Sequence, residues 1–206
     1  MSKEQFFNER AEIWDEISKY DMTKVDLLTR LLLIQEHDTV LDVGTGTGVL
    51  LPVLAKYTAG KNITAIDSAE KMIAVARRKF ESLGCSFIMG DATLYPFPPE
   101  SYNVIVCYSV FPHFEDKLQI IMHLAEALKK GGLLAVLHSS SKEKINGVHV
   151  HAHRDVMMDS LPPADAVAGL MRKLELIPEA VIDNSAMYAV YARRRWNPAG
   201  IRKPKD

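Results

Sequence analysis

The sequence predicts an α/β protein, a Rossmann-like three-layer sandwich built on a mostly parallel sheet. Three observations carry that expectation. From residue 39 onward, short apolar runs alternate with stretches of helical periodicity, the rhythm of strands joined by crossover helices that cover both faces of a sheet. The runs end in polar punctuation, which in an open parallel sheet gathers where ligands bind, beyond the carboxyl ends of the strands. The segment Val40-Leu-Asp-Val-Gly-Thr-Gly-Thr-Gly-Val-Leu50 reads as strand, tight turn and helix. Its glycines Gly44, Gly46 and Gly48 let the backbone turn sharply and approach a ligand with no Cβ in the way.

Each element follows from its own pattern. Phe6, Phe7, Ile13, Trp14, Ile17 and Tyr20 recur near helical spacing, so Lys3 to Tyr20 is expected to be one amphipathic helix. A second helix covers about Lys24 to Ile34. The first strand and the glycine turn lead to a helix from Val49 to Tyr57. Asn62 to Ile66 is a buried strand ending in Asp67, and a helix from Ser68 to Leu83 stops at Gly84. Cys85 to Met89 forms the third strand and ends in Gly90-Asp91-Ala92. A proline-rich loop leads to the fourth strand, Tyr102 to Cys107, followed by a loop to Glu115 and a helix from Lys117 to Lys129. Gly131-Gly132 is expected to end that helix before strand five, Leu133 to His138. Residues Ser139 to Leu161 show no clear period, and a stretch of that length inside a compact domain is often functional. Pro162-Pro163 opens a helix through Leu174. The last two strands, about Leu176 to Ile182 and Met187 to Ala192, are close enough to form an antiparallel hairpin.

Composition bounds the rest. At 206 residues, 48% hydrophobic and 25% charged, the chain is expected to be a single domain over 1–206, with a helical lid at 1–35, a sheet core at 39–193 and a basic tail at 194–206. A net charge of −1 gives no electrostatic footprint for general nucleic-acid binding, and the basic end around Arg193, Arg194, Arg195, Arg202, Lys203 and Lys205 reads as a solvated tail. No run approaches the roughly 20 apolar residues of a membrane span, and the start lacks the pattern of a secretory signal. A cytoplasmic protein with no membrane partner is expected. Cys85 and Cys107 sit in apolar, strand-like segments, as reduced buried thiols do.

The chemistry lies on the strand ends. A glycine-rich strand-to-helix turn commonly holds a phosphate, but no Lys-Ser/Thr follows here, and Val49 stands where the dinucleotide fingerprint has its third glycine. Asp42, two residues before Gly44, sets a carboxylate at that strand end, which disfavours a polyanion and favours a ligand of cationic character. S-adenosylmethionine, with a sulfonium and an α-ammonium and no phosphate, fits that field. Asp67 ends strand two, where an acid accepts hydrogen bonds from two ribose hydroxyls; it also fits a helix cap. Asp91 suits the adenine amino group, with Ala92 supplying a backbone N–H, or a simple turn. Three acids on successive strand ends together favour a nucleoside site.

With these residues in place, the chain resembles the class I S-adenosylmethionine-dependent methyltransferases, most closely the branch of ubiquinone and menaquinone C-methyltransferases. The resemblance covers roughly Phe6 to Arg193. Val-Leu-Asp-Val-Gly-Thr-Gly-Thr-Gly is similar to the family's first motif, Ile66-Asp67 with Met72 to its ribose motif, Gly90-Asp91-Ala92 to its adenine motif and Leu128-Lys-Lys-Gly-Gly-Leu-Leu to its approach to strand five. It implies a seven-stranded sheet in the order 3-2-1-4-5-7-6 with strand seven antiparallel. The cofactor-binding set is then Asp42, Gly44, Gly46, Gly48, Asp67, Ser68, Met72, Asp91, Ala92 and Cys107. Two departures stand out: Asn103 replaces a frequent Asp at the start of strand four, and Ala69 replaces a frequent serine, with Ser68 one place earlier.

Methyl transfer from a sulfonium is an in-line displacement, so the protein mainly positions the acceptor and excludes water, and needs a base only where the acceptor arrives protonated. The acceptor, expected to be a small molecule, belongs between the N-terminal helix and the loops after strands four and five. Those segments hold His113, His138, His149, His151 and His153. Histidines are bases suited to neutral pH, and His113, His138 and His149 are the expected catalytic residues, with no metal site. Two other readings remain at this point: a nicotinamide-dependent oxidoreductase, weakened by Asp42 and Val49, and a cofactor-binding module without turnover.

Overall fold

The computed structural model describes residues 2–150 and 157–195, the backbone alone at 149 and 150. Five parallel crossovers and a terminal hairpin build one seven-stranded sheet. Its strands are β1 (Val40–Val43), β2 (Ile63–Asp67), β3 (Ser86–Met89), β4 (Tyr102–Tyr108), β5 (Leu128–His138), β6 (Leu176–Asp183) and β7 (Tyr188–Arg194), in the order β3-β2-β1-β4-β5-β7-β6. Strand β7 runs antiparallel to both β5 and β6. All four residues of β1 are buried. That strand lies between β2 and β4, pairing Asp42 with Ala65 on one side and Val106 on the other.

Because side chains alternate across a strand, the sheet divides the core in two. Leu41, Val43, Ile105, Cys107, Leu134 and Val136 face a layer formed by α6 (Lys117–Ala127) and α8 (Ala164–Lys173). Val40, Val104, Val106, Leu133, Ala135 and Leu137 face α3 (Met22–Arg30) and α4 (Leu51–Leu54). Each such Val, Leu or Ile contributes about 1.5–3 kcal/mol on burial. Local signals set the helix ends: the Asp21 and Asp116 side chains accept backbone N–H bonds at the starts of α3 and α6. Helix α5 (Glu70–Phe80) buries Met72, Ile73, Val75 and Ala76 on one face.

Four expectations need correction. The N-terminal helix is broken into α1 (Lys3–Arg10), a 3-10 turn over Ala11–Ile13 and α2 (Trp14–Ile17), which follows the local packing of Phe7, Ala11 and Trp14 onto Ala69, Met72 and Val75 at the start and along one face of α5. The helix after the glycine turn shortens to α4, since tight turns occupy the residues on either side. Gly131-Gly132 lies inside β5 rather than between elements. A Cβ on Gly132 would stand 2.8 Å from the Asn103 carbonyl oxygen, so the glycine admits a close backbone approach at the irregular β4–β5 register. The stretch after β5 contains helix α7 (Lys142–Val150), whose start is bonded through the Ser141 side chain to the Lys144 N–H.

Candidate active site

Where strand order reverses between β1 and β4, the strand ends open onto a cavity of about 760 Å³. Asp42, Gly44, Gly46, Asp67, Ser68, Met72, Asp91, Ala92 and His113 all line it. The bonds within the glycine loop decide what it can hold. The N–H groups of Gly44 and Thr45 donate to the Ile66 carbonyl, at 2.8 and 3.1 Å, and that of Gly48 to Thr45. The Gly46 N–H donates to Asp67 Oδ2 at 2.8 Å. These four amides are therefore committed within the protein, and a pyrophosphate would find carboxylates where a phosphate loop offers donors.

Asp42 is 1% exposed and accepts a 2.7 Å bond from the Thr45 hydroxyl. Burial, opposed by that bond and reinforced by the nearby Asp67 charge, pushes its carboxyl up to about 7. Burial also raises Asp67, against the bonds from the Ala69 and Gly46 N–H groups and the charge of His113. Asp67 Oδ1 accepts the Ala69 N–H at 2.9 Å at the start of α5. Cap and loop tether thus use two of the carboxylate's roughly four acceptor positions, leaving capacity for a ligand's hydroxyls. Asp91 forms a turn in which Oδ1 accepts from the Thr93 N–H and hydroxyl, at 2.8 and 2.7 Å.

Three expected cofactor or catalytic residues lie elsewhere. Gly48 does not line the cavity. With φ +87° it serves packing, for a Cβ there would meet the Phe80 ring at 2.8 Å. Cys107 is fully buried on the α6/α8 side, where burial raises its thiol, and β4 continues past it to Tyr108, which does reach the cavity. His138 shares the side-chain parity of Leu134 and Val136, so it turns into the sheet's α6/α8 face. There it is 2% exposed and edge-on to Tyr188, away from the cavity lining. The side chain of His149, and His151 and His153 entirely, lie outside the described residues.

His113 does reach the cavity, and its surroundings are specific. It ends a 3-10 turn over Phe111–His113 after β4. Its Nδ1 lies 2.7 Å from Asp159 Oδ2, in the segment between α7 and α8. Lys3 of α1 joins both, its Nζ 2.7 Å from Asp159 Oδ1 and 2.8 Å from the His113 carbonyl oxygen. The Phe7 ring meets the imidazole edge-on at 5.1 Å. Asp159 was not legible from the sequence, because it stands alone beyond the aperiodic stretch. Aromatic residues missed for the same lack of a motif, Tyr20, Tyr108 and Phe114, line the cavity with Phe7 and Trp14. Among the described residues no group of three His, Cys, Asp or Glu is placed to hold a metal ion, and no helix is long and apolar enough to cross a membrane.

A reversal-point cavity with acids on three successive strand ends, beside a glycine loop whose Gly44, Thr45, Gly46 and Gly48 amides are bonded within the protein, sits on a sheet with the strand order of the class I methyltransferase fold. Comparison with known proteins agrees. A family model described as a methyltransferase domain matches residues 40–132. The chain is 32% identical over 138 residues to the demethylmenaquinone methyltransferase of Thermus thermophilus, covering 64% of this chain and 63% of that protein. It is 26% identical over 168 residues to the malonyl-[acyl-carrier protein] O-methyltransferase of Marinomonas sp., covering 75% and 62%. The chain spans about three fifths of the length of these curated relatives. Among solved structures, it superposes on a chain of the complex between the Haloferax volcanii Trm112 methyltransferase activator and a putative methyltransferase with a TM-score of 0.76, at 16% identity over 95% of this chain and 99% of that one. A S-adenosylmethionine-dependent methyltransferase from Aquifex aeolicus gives 0.69 at 20% identity, covering 89% and 98%. The fold is thus that of the class I methyltransferases, and over residues 40–132 the sequence is similar to a methyltransferase domain.

Proposed function

We propose that the protein is an S-adenosylmethionine-dependent methyltransferase acting on a small-molecule acceptor. The observation that carries this reading is the commitment of the Gly44, Thr45, Gly46 and Gly48 amides to acceptors within the protein, with Asp42 and Asp67 beside them. That field repels a dinucleotide's pyrophosphate and suits a ligand bearing an ammonium and a sulfonium. Asp67 holds the ribose hydroxyls, Asp91 and Ala92 meet the adenine, and Asp42 balances the cationic methionyl end. Gly46, with nothing within 4 Å of a notional Cβ, lets the backbone come against the ligand. When bound, the cofactor supplies a methyl group on a sulfonium. The chain's own work is to orient the acceptor, keep water out and take up the acceptor's proton at His113.

A volume of about 760 Å³ is within the usual range for a small-molecule pocket, and it must hold cofactor and acceptor together, which favours a small acceptor. Calorimetry tests the cofactor assignment. S-adenosylhomocysteine binds with at least micromolar affinity, about 8 kcal/mol, while NAD and NADP do not bind. Tighter binding of a nicotinamide cofactor would reject the reading.

A further inference from the structure

The cavity's charge distribution and one side-chain cluster say what kind of acceptor it takes. Among the described residues, six carboxyl groups line it, Glu4, Asp42, Asp67, Asp91, Glu115 and Asp116, against a single Lys or Arg, Lys3, which is itself paired with Asp159. An acceptor already anionic in water would be repelled. A protonated amine would suit the acids but would have to bring its charge against the sulfonium at the reacting atom. A neutral hydroxyl avoids both costs. The rings of Phe7, Trp14, Tyr20, Tyr108 and Phe114 supply an apolar, aromatic wall for the body of such a molecule. A neutral hydroxyl is a poor nucleophile until its proton leaves, so this acceptor class requires a base.

The cluster around His113 is built as one. We propose that Asp159 is the positioning residue that fixes His113 as general base for a neutral, weakly acidic hydroxyl on an apolar ring, a phenol-type acceptor. Asp159 holds the His113 Nδ1 at 2.7 Å. A carboxylate at Nδ1 requires the proton there, which leaves Nε2 with its lone pair. Burial opposes the charge on Asp159, but the bonds from His113 and Lys3 outweigh it and hold its carboxyl below the usual range, so the partner of Nδ1 is an anion at neutral pH. Lys3 fixes the other Asp159 oxygen and the His113 carbonyl, locking the ring's backbone and its partner together. Among the described residues, the charged groups near the imidazole are Lys3 from α1, Asp67 from the end of β2, Asp159 from the segment before α8, and Glu115 and Lys117 just after His113 in the chain. In the step, Nε2 accepts the hydroxyl proton, the oxygen's electron pair forms the bond to the methyl carbon, and the electrons of the carbon–sulfur bond stay on sulfur. The imidazolium so formed faces the Asp159 carboxylate.

This inference rests on the proposed cofactor, and the test separates the two. S-adenosylhomocysteine affinity is measured first for the wild-type chain. Its absence overturns the cofactor reading, and this inference with it. Methyl transfer is then followed with phenols of graded acidity, from an unsubstituted phenol to a nitrophenol ionised at the assay pH. Asp159→Ala and His113→Gln each lower kcat about 100-fold on the weakly acidic phenols. On the ionised one, which the acidic lining makes a weak binder and which is therefore compared at saturating concentration, they lower kcat less than about threefold because no proton need be removed, and S-adenosylhomocysteine affinity changes less than about threefold. Independently of turnover, nitrogen NMR of the wild type with S-adenosylhomocysteine shows neutral His113 as the Nδ1–H tautomer, and Asp159→Ala shifts it toward the Nε2–H form. Equal losses on both acceptor types, an unchanged tautomer in Asp159→Ala, or a wild type that binds the cofactor product but methylates only amines would each overturn the proposal, while isosteric Asp159→Asn, which keeps an acceptor at Nδ1, guards against a folding defect.

Discussion

Asp42 is the residue at which stability and function conflict most sharply. Its carboxyl, pushed up to about 7 by burial, keeps in the folded state a proton that the unfolded chain releases near 3.8. Between those values the folded state binds more protons, so this group's contribution falls as pH rises through the window and is lowest above it. Asp67, raised in the same direction by burial, adds to the trend. Asp42→Asn should therefore raise the melting temperature of the ligand-free protein by several degrees at about pH 8, on the order of 2 kcal/mol, and change it little at about pH 4. The same substitution should weaken S-adenosylmethionine binding, because the cationic ligand loses its counter-charge. Thermal melts at the two pH values, with and without ligand, check both halves. Asp67→Ala should weaken S-adenosylhomocysteine more than about tenfold, since it removes two charge-assisted bonds of roughly 1.5–3 kcal/mol each. An unchanged affinity in calorimetry would leave Asp67 with only its bonds from the Ala69 and Gly46 N–H groups. Gly48→Ala belongs to a different class. Its φ of +87° and the Phe80 ring 2.8 Å from the added Cβ predict a loss of about 1–3 kcal/mol in denaturant unfolding, while ligand affinity per folded molecule is kept.

At the scale of elements, the N-terminal segment spans the cavity and is tied down on both sides. Lys3 reaches Asp159 and the His113 carbonyl, and Asp15 in α2 accepts 2.5 Å bonds from the Thr47 hydroxyl and from Lys79. Between these ties Phe7 and Trp14 pack against the cluster of Ala11, Ala69, Met72 and Val75. A few polar latches over a small apolar patch are what a closing lid needs, where a plain core helix would bury far more. Removing residues 2–20 should lower turnover more than about 100-fold while S-adenosylhomocysteine binding weakens less than about tenfold. Loss of the folded state, seen by circular dichroism, would instead make the segment part of the core. The strands were legible in the sequence because β1, β2, β4 and residues 133–137 of β5 are short, largely apolar runs bounded by polar residues or glycine. The helices around the lid and glycine turn were legible only in outline. Neither the break at Ala11–Ile13 nor the four-residue length of α4 has a local signal, since both follow from packing against α5 and β2. Helix α7 carries no amphipathic period, so Ser139 to Val150 gave no warning of it.

For the molecule as a whole, the strand order follows from connectivity. Crossovers from β1 out to β3 and back to β4 leave a crevice at the reversal, and the antiparallel β6–β7 hairpin closes the opposite edge. Residues at strand ends were therefore legible as cavity residues, and Asp42, Asp67, Asp91 and Ala92 line the one predicted place. What sequence spacing left open was which face a side chain takes one residue earlier or later. Cys107 and His138 lie on strands that approach the cavity, yet their parity turns them into the α6/α8 layer. Asp159 is the converse case, brought to His113 from 46 positions away by the return of the chain after β5. The most direct test of the account is a crystal structure with S-adenosylhomocysteine. It should place both ribose hydroxyls within about 3 Å of the Asp67 carboxylate, the adenine against Asp91 and Ala92, and the sulfur on the His113 side of the cavity, with the glycine-loop amides still bonded to Ile66 and Asp67. A nucleoside bound away from the strand ends, or a glycine loop turned to present its N–H groups to a phosphate, would contradict it.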